Sequence, residues 1–178
     1  MNFGTSVHAL TEWGQPVKSF RQVLAEAGEI GFSSIMLMHS PAGPALTAAS
    51  PDPQSAILNL AQSDLGLVLK AVTDAGLQVA CVYQGLTKVG NEEEVAATAQ
   101  GLLALSHMAE ALGADIVLPN AGAAPRPRTP LDEKRELIAA FARAMGRGLE
   151  NSSGATKIAP DIHYGGILET VADCRELY

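Results

Sequence analysis

The sequence is poor in the features that mark several classes of protein. Among its 178 residues there is one Trp, and aromatic side chains make up 4%. Lys and Arg number 12 against 19 Asp and Glu, a formal net charge of -7, and no basic run occurs. Nucleic acid and anionic membranes attract proteins through positive patches, so neither is an expected partner. No apolar stretch approaches the roughly 20 residues that a membrane helix needs. The start, Met1-Asn2-Phe3-Gly4, has neither the basic nor the apolar region of a signal peptide. Only two cysteines occur, Cys81 and Cys174, far apart in the chain. That is no disulfide framework, and a reduced, cytoplasmic protein is expected. Repeat arrays and coiled coils are excluded as well. With 47% hydrophobic and 17% charged residues, the chain reads as one globular domain over 1–178.

What is present is a recurring unit. An amphipathic helix ends at a glycine and a short apolar strand follows. Gly31, Gly76, Gly113 and Gly154 occupy those positions, where a left-handed residue stops a helix at little cost. The strands predicted are Phe3 to Val7, Ser34 to Met38, Gln78 to Tyr83, Asp115 to Leu118 and Lys157 to Ala159. They lack clean alternation, as expected of a parallel sheet covered by helices. Helix starts are predicted at Asp52-Pro53, at Asn91 with Glu94, at Thr129-Pro130 with Asp132, and at Thr170 with Asp173. Residues 16–30 form a further helix. Apolar stripes run through Ile57, Leu60, Ala61, Leu65, Val68 and Val72, through Leu102, Leu105, Ala109 and Leu112, and through Ile138, Phe141, Ala142, Met145 and Leu149.

Strand and helix in alternation define an α/β fold. No Gly-rich phosphate loop follows the first strand, where Ser6-Val7-His8-Ala9-Leu10 stands, so a doubly wound sheet is disfavoured. The reading is a (β/α) barrel of the TIM type. A full barrel takes about 250 residues, so an incomplete one is expected, with about five βα units and the start of a sixth helix.

Ligands of such folds bind at the carboxyl ends of the strands. The residues there are His8, His39, Gln84, Asn120, and Asp161 with His163. Three of the four histidines fall at strand ends, and His107 lies mid-helix. Asp161 and His163 are separated by one residue, so a strand would present both on one side. A carboxylate beside an imidazole suits a divalent metal or a general-base pair, and equally a loop cap beside a backbone-bonded histidine. His8, His39, Gln84 and Asn120 are candidate substrate contacts. Trp13 is either a stacking platform or loop packing. Arg126 and Arg128 lie on the long fourth loop, within reach of an anionic substrate or simply exposed.

These segments resemble a known family. Glu-Ile-Gly-Phe-Ser-Ser-Ile at 29–35, Ala-Gly-Leu-Gln-Val at 75–79, Ala-Leu-Gly-Ala-Asp-Ile-Val at 111–117 and Pro-Asp-Ile-His-Tyr-Gly-Gly-Ile-Leu-Glu-Thr at 160–170 resemble the xylose-isomerase-like barrel superfamily. That group includes sugar isomerases and epimerases, inosose dehydratases and family 2 AP endonucleases. The resemblance implies a metal-dependent sugar or polyol isomerase or epimerase, moving a proton next to a metal-polarised carbonyl. It implies Asp161 as a ligand of a divalent metal (Mn, Mg, Co or Zn), although the family uses the longer Glu there. His163 matches a residue near metal or substrate. The family's remaining ligands lie on strands six to eight, which this sequence does not contain. A truncated, non-catalytic barrel that acts as a pseudo-enzyme or a homo-oligomerising subunit is therefore an alternative, as is a dehydratase on the same scaffold.

Overall fold

The computed structural model describes residues 3–10, 17–85 and 87–178. Trp13 lies outside them. Five parallel strands alternate with helices, as expected of a partial TIM barrel. The chain divides into two compact units, Met1–Tyr83 with Met108–Ile116, and Gln84–His107 with Val117–Tyr178.

In the first unit, β1 (Gly4–Ser6) pairs in parallel with β2 (Ser34–His39), Ser6 opposite Met36. The backbone of Gln78, at the start of β3 (Gln78–Gln84), donates to Ser33 O at 3.1 Å, which places β3 on the far side of β2. Helix α1 (Phe20–Ile30) buries Phe20, Val23, Leu24 and Ala27. It packs so closely on the end of α2 (Leu65–Asp74) that a Cβ on Gly28 would stand 2.5 Å from Ala75 O.

Two helix starts differ from expectation. Helix α1 begins at Phe20, so residues 17–19 of the predicted helix lie outside it, because the N-cap Ser19 and Gln22 close a reciprocal capping box. Asp52 does not start a helix. Its carboxylate accepts from Ser19 Oγ at 2.8 Å and from Arg21 N at 3.0 Å, so it serves the start of α1 instead. Helix α2 starts twelve residues later, on Asp64, whose side chain accepts from the amides of Gly66 and Leu67. Leu58 and Leu60 are buried all the same, because an irregular segment can bury residues without helical periodicity.

In the second unit, β4 (Ile116–Pro119) lies beside β5 (Lys157–Ile158), with Ala159 N donating to Val117 O at 2.9 Å. Just beyond β4, Asn120 N donates to Gln84 O at 3.0 Å. The fourth strand therefore joins at the third, and not at the first as a dinucleotide-binding sheet requires. Helices α3 (Glu92–Ala111), α4 (Leu131–Glu150) and α5 (Val171–Leu177) follow β3, β4 and β5. The core of this unit gathers Val95, Leu102, Ile138, Phe141, Ile167 and Leu168. Leu149 is half exposed, off the stripe assigned to it, since α4 instead buries Ala144, Met145 and Gly148 on that side.

Gly31, Gly76, Gly113 and Gly154 all take positive φ, from 74 to 96°, as predicted. Thr170 and Asp173 form a complete capping box. Thr129 does not cap α4, because its hydroxyl donates to the Arg126 carbonyl and closes a turn of the preceding loop. Among the described residues, no helix is long and apolar enough to cross a membrane.

Candidate functional site

Four of the predicted residues fall in the second unit, at successive strand ends. The backbone seats them side by side. Asn120 N bonds Gln84 O at 3.0 Å, Asp161 N bonds Pro119 O at 2.9 Å, and Asn120 forms a parallel bridge with Asp161. His163 follows, with Nδ1 at 4.0 Å from Asp161 Oδ2. That is ion-pair distance but long for a hydrogen bond. The Asp161 side chain is 30% exposed and that of His163 61%, so both are open to a ligand.

Their neighbours serve the scaffold. Asn120 is buried. Its Oδ1 accepts from Gly122 N at 3.0 Å, and its carbonyl accepts from both the amide and the hydroxyl of Thr87. The Gln84 amide reaches the helix layer, where a Cβ on Gly101 would lie 3.8 Å from Nε2. Neither arrangement was visible in the sequence, which places a residue at a strand end but not the side to which it points.

In the first unit, His8 sits exposed in a 3-10 turn, Val7–Leu10, directly after β1. His39 ends β2 and is only 8% exposed. Its Nδ1 accepts the backbone N–H of Leu60 at 3.1 Å. Burial holds its pKa below the usual histidine value, with a backbone hydrogen bond at Leu58 acting the other way. An amide donating to a ring nitrogen also favours the neutral ring. Cys81 offers no ready nucleophile, because burial pushes its thiol up to about 11.

Sequence reasoning missed one cluster. Lys134 on α4 and Asp173 on α5 are both 1% exposed and pair at 2.6 Å. Burial would raise the Asp173 carboxyl, but Lys134 and the amides and hydroxyl of Glu169 and Thr170 hold it below the ordinary carboxylate range. Asp173 was legible as a cap but Lys134 was not, since a lysine in an early helical turn reads as solvated. A cavity of about 550 Å³ opens above this pair, lined also by Arg128, Ile162, Tyr164 and Glu169. It takes the residues alternating with Asp161 and His163, so that pair does not line it.

Among the described residues, no three of His, Cys, Asp and Glu gather as a metal site. Asp161 and His163 offer two donors, whereas a catalytic divalent site uses three protein ligands. The described residues do not complete such a site.

No family model matches the sequence, and no curated protein matches it. Solved structures do share its fold. D-allulose 3-epimerase from Methylomonas sp. superposes with a TM-score of 0.65 at 15% identity, over 99% of this chain and 59% of that one. L-ribulose 3-epimerase gives 0.65 at 19% identity, over 99% and 56%. The 3-keto-D-glucoside 4-epimerase of E. coli gives 0.65 at 15% identity, over 99% and 63%. The chain thus shares the fold of these TIM-barrel epimerases and spans less than two thirds of the length of each.

Proposed function

We propose that the chain acts as a sugar or polyol isomerase or epimerase, moving a proton at a carbon next to a carbonyl. The observation that carries this reading is the carboxylate–imidazole pair at the end of β5, Asp161 and His163, on a fold shared with sugar epimerases. Both groups are open to solvent, and together they hold or release one proton at a substrate carbon. In this reading Asp161 takes the proton and the His163 imidazole, beside it, supports the carboxylate. Gln84 and Asn120, at the neighbouring strand ends of the same unit, are the candidate substrate contacts beside this pair. A divalent metal needs at least one ligand beyond Asp161 and His163.

The shortfall of donors favours a second reading, a non-catalytic barrel segment. Exchange in deuterium oxide separates the two. Free ketoses are incubated with the chain, with and without Mn²⁺, and deuterium at the carbon next to the carbonyl is followed by NMR. Wash-in that falls about 100-fold or more in Asp161→Asn supports the enzyme. No wash-in with any ketose by the folded wild type overturns it in favour of the non-catalytic reading.

A further inference from the structure

His163 is the most exposed member of the candidate pair, and its imidazole is not held by packing. Its place is set by its backbone, which lies in the loop from 162 to 168 between β5 and α5. Within that loop His163 N donates to Leu168 O at 2.9 Å, and Gly166 N donates to His163 O at 2.8 Å. The loop is then sewn to the start of the β4–α4 loop. Ala124 N donates to Gly165 O and Ile167 N to Gly122 O, both at 2.9 Å, and Ala123 bridges Gly166.

One side chain closes both sides of this seam. Glu169 Oε1 accepts Gly165 N at 3.2 Å, and Glu169 Oε2 accepts Arg128 N at 2.9 Å. Both donors are left-handed residues, Gly165 at φ 73° and Arg128 at φ 58°, and Arg128 is the one non-glycine among the described residues with positive φ. An L side chain rarely rests there without a reason in its surroundings. Glu169 is itself anchored, because its N–H donates to Asp173 Oδ2 at 3.0 Å. The same oxygen accepts Thr170 N at 2.8 Å and the buried Lys134 ammonium at 2.6 Å.

We infer that Glu169 is a positioning residue for His163, a two-oxygen clamp seated on the buried Lys134–Asp173 pair. The chemistry calls for a carboxylate. Two amides approach two different oxygens, and glutamine has only one acceptor to give. The role assigned to His163 rests on the proposed function, but the clamp on its loop does not.

The test uses the full chain and two variants, Glu169→Gln and Glu169→Ala. Glu169 is only half buried, so both are expected to fold. Amide exchange at Gly165 and Arg128 and the NMR signals of the four histidine rings are followed together. In Glu169→Ala, exchange should quicken about tenfold at both amides, the loss of one net hydrogen bond each. In Glu169→Gln, it should quicken at one of them. The His163 ring signals should move in both variants, further in Ala than in Gln, while those of His8, His39 and His107 stay. Quickened amides with an unmoved His163 ring would make Glu169 a loop brace only and overturn the inference, as would unchanged amides. Deuterium wash-in by the wild type tests the site reading separately. No wash-in with any ketose counts against that reading and leaves the clamp measurement intact.

Discussion

Replacing Lys134 by Met tests the energetics of the second unit most directly. The ion pair is almost fully buried, with side chains 1% and 2% exposed, so solvent does not screen it. Met matches the length and apolar volume of the lysine stem, so no large cavity opens. What changes is that Asp173 loses its counter-charge inside the protein. Breaking a buried pair from one side costs about 3–5 kcal/mol. Asp173 keeps two backbone amides, from Glu169 and Thr170, which favours the lower end, about 3 kcal/mol. For a chain of this length, each kcal/mol lowers Tm by about 2–4 °C, so a fall of about 6–12 °C is expected.

The pH dependence carries a second signature. In the wild type Asp173 is held below the ordinary carboxylate range, so its contribution is present above the unfolded value and is lost as pH falls through the folded one. In the variant the sign reverses. A buried carboxylate without its ammonium binds a proton more readily folded than unfolded, so the variant recovers stability as pH falls. Denaturant melts at pH 7 and pH 5, followed by circular dichroism, should show the gap from wild type narrowing at pH 5. Adding Asp173→Asn, which keeps an acceptor for both amides without the charge, should restore part of the loss at pH 7. A cost under about 1 kcal/mol, the range of surface pairs, or a gap independent of pH would refute the reasoning.

Two further outcomes are expected. His39 is depressed in the folded state, so the unfolded chain takes its proton first, and stability falls as pH drops through about 6.5. His39→Leu should flatten that decline in thermal melts while costing about 1–3 kcal/mol, because the Leu60 N–H is left buried and unpaired. Gly122→Ala and Gly31→Ala both place a side chain at positive φ, 100° and 96°. Only at Gly122 does the new Cβ meet backbone, Thr87 O at 2.6 Å, whereas at Gly31 nothing lies within 4 Å. Gly31→Ala should cost about 1 kcal/mol and Gly122→Ala clearly more, and equal melting temperatures would show that the Thr87 contact yields freely.

Much of the architecture is local and was therefore legible. The four glycine stops, the strands that follow them and the Thr170 capping box depend on residues a few positions apart. A left-handed cap or an N-cap acts through its own backbone neighbours. The strand-end position of His8, His39, Gln84, Asn120, Asp161 and His163 follows from the same spacing. The misreadings were long-range in origin. Asp52 looks like the start of its own helix, but it serves α1, more than thirty residues earlier in the chain. Thr129 looks like a cap and instead closes the turn of the loop before it.

By itself, then, the sequence determined the fold class, the number of βα units and the strand-end positions of the polar residues, because periodicity and caps are written over short distances. Tertiary structure alone decided what those residues do. It turned the Gln84 amide toward α3, engaged a His39 nitrogen with Leu60, and set Asp161 and His163 4.0 Å apart. It also buried Lys134 against Asp173, 39 residues away, and ran a clamp from that pair through Glu169 to the loop of His163. Burial, side-chain direction and charge pairing arise only when distant segments close on one another, and no local spacing records which partner a side chain will meet.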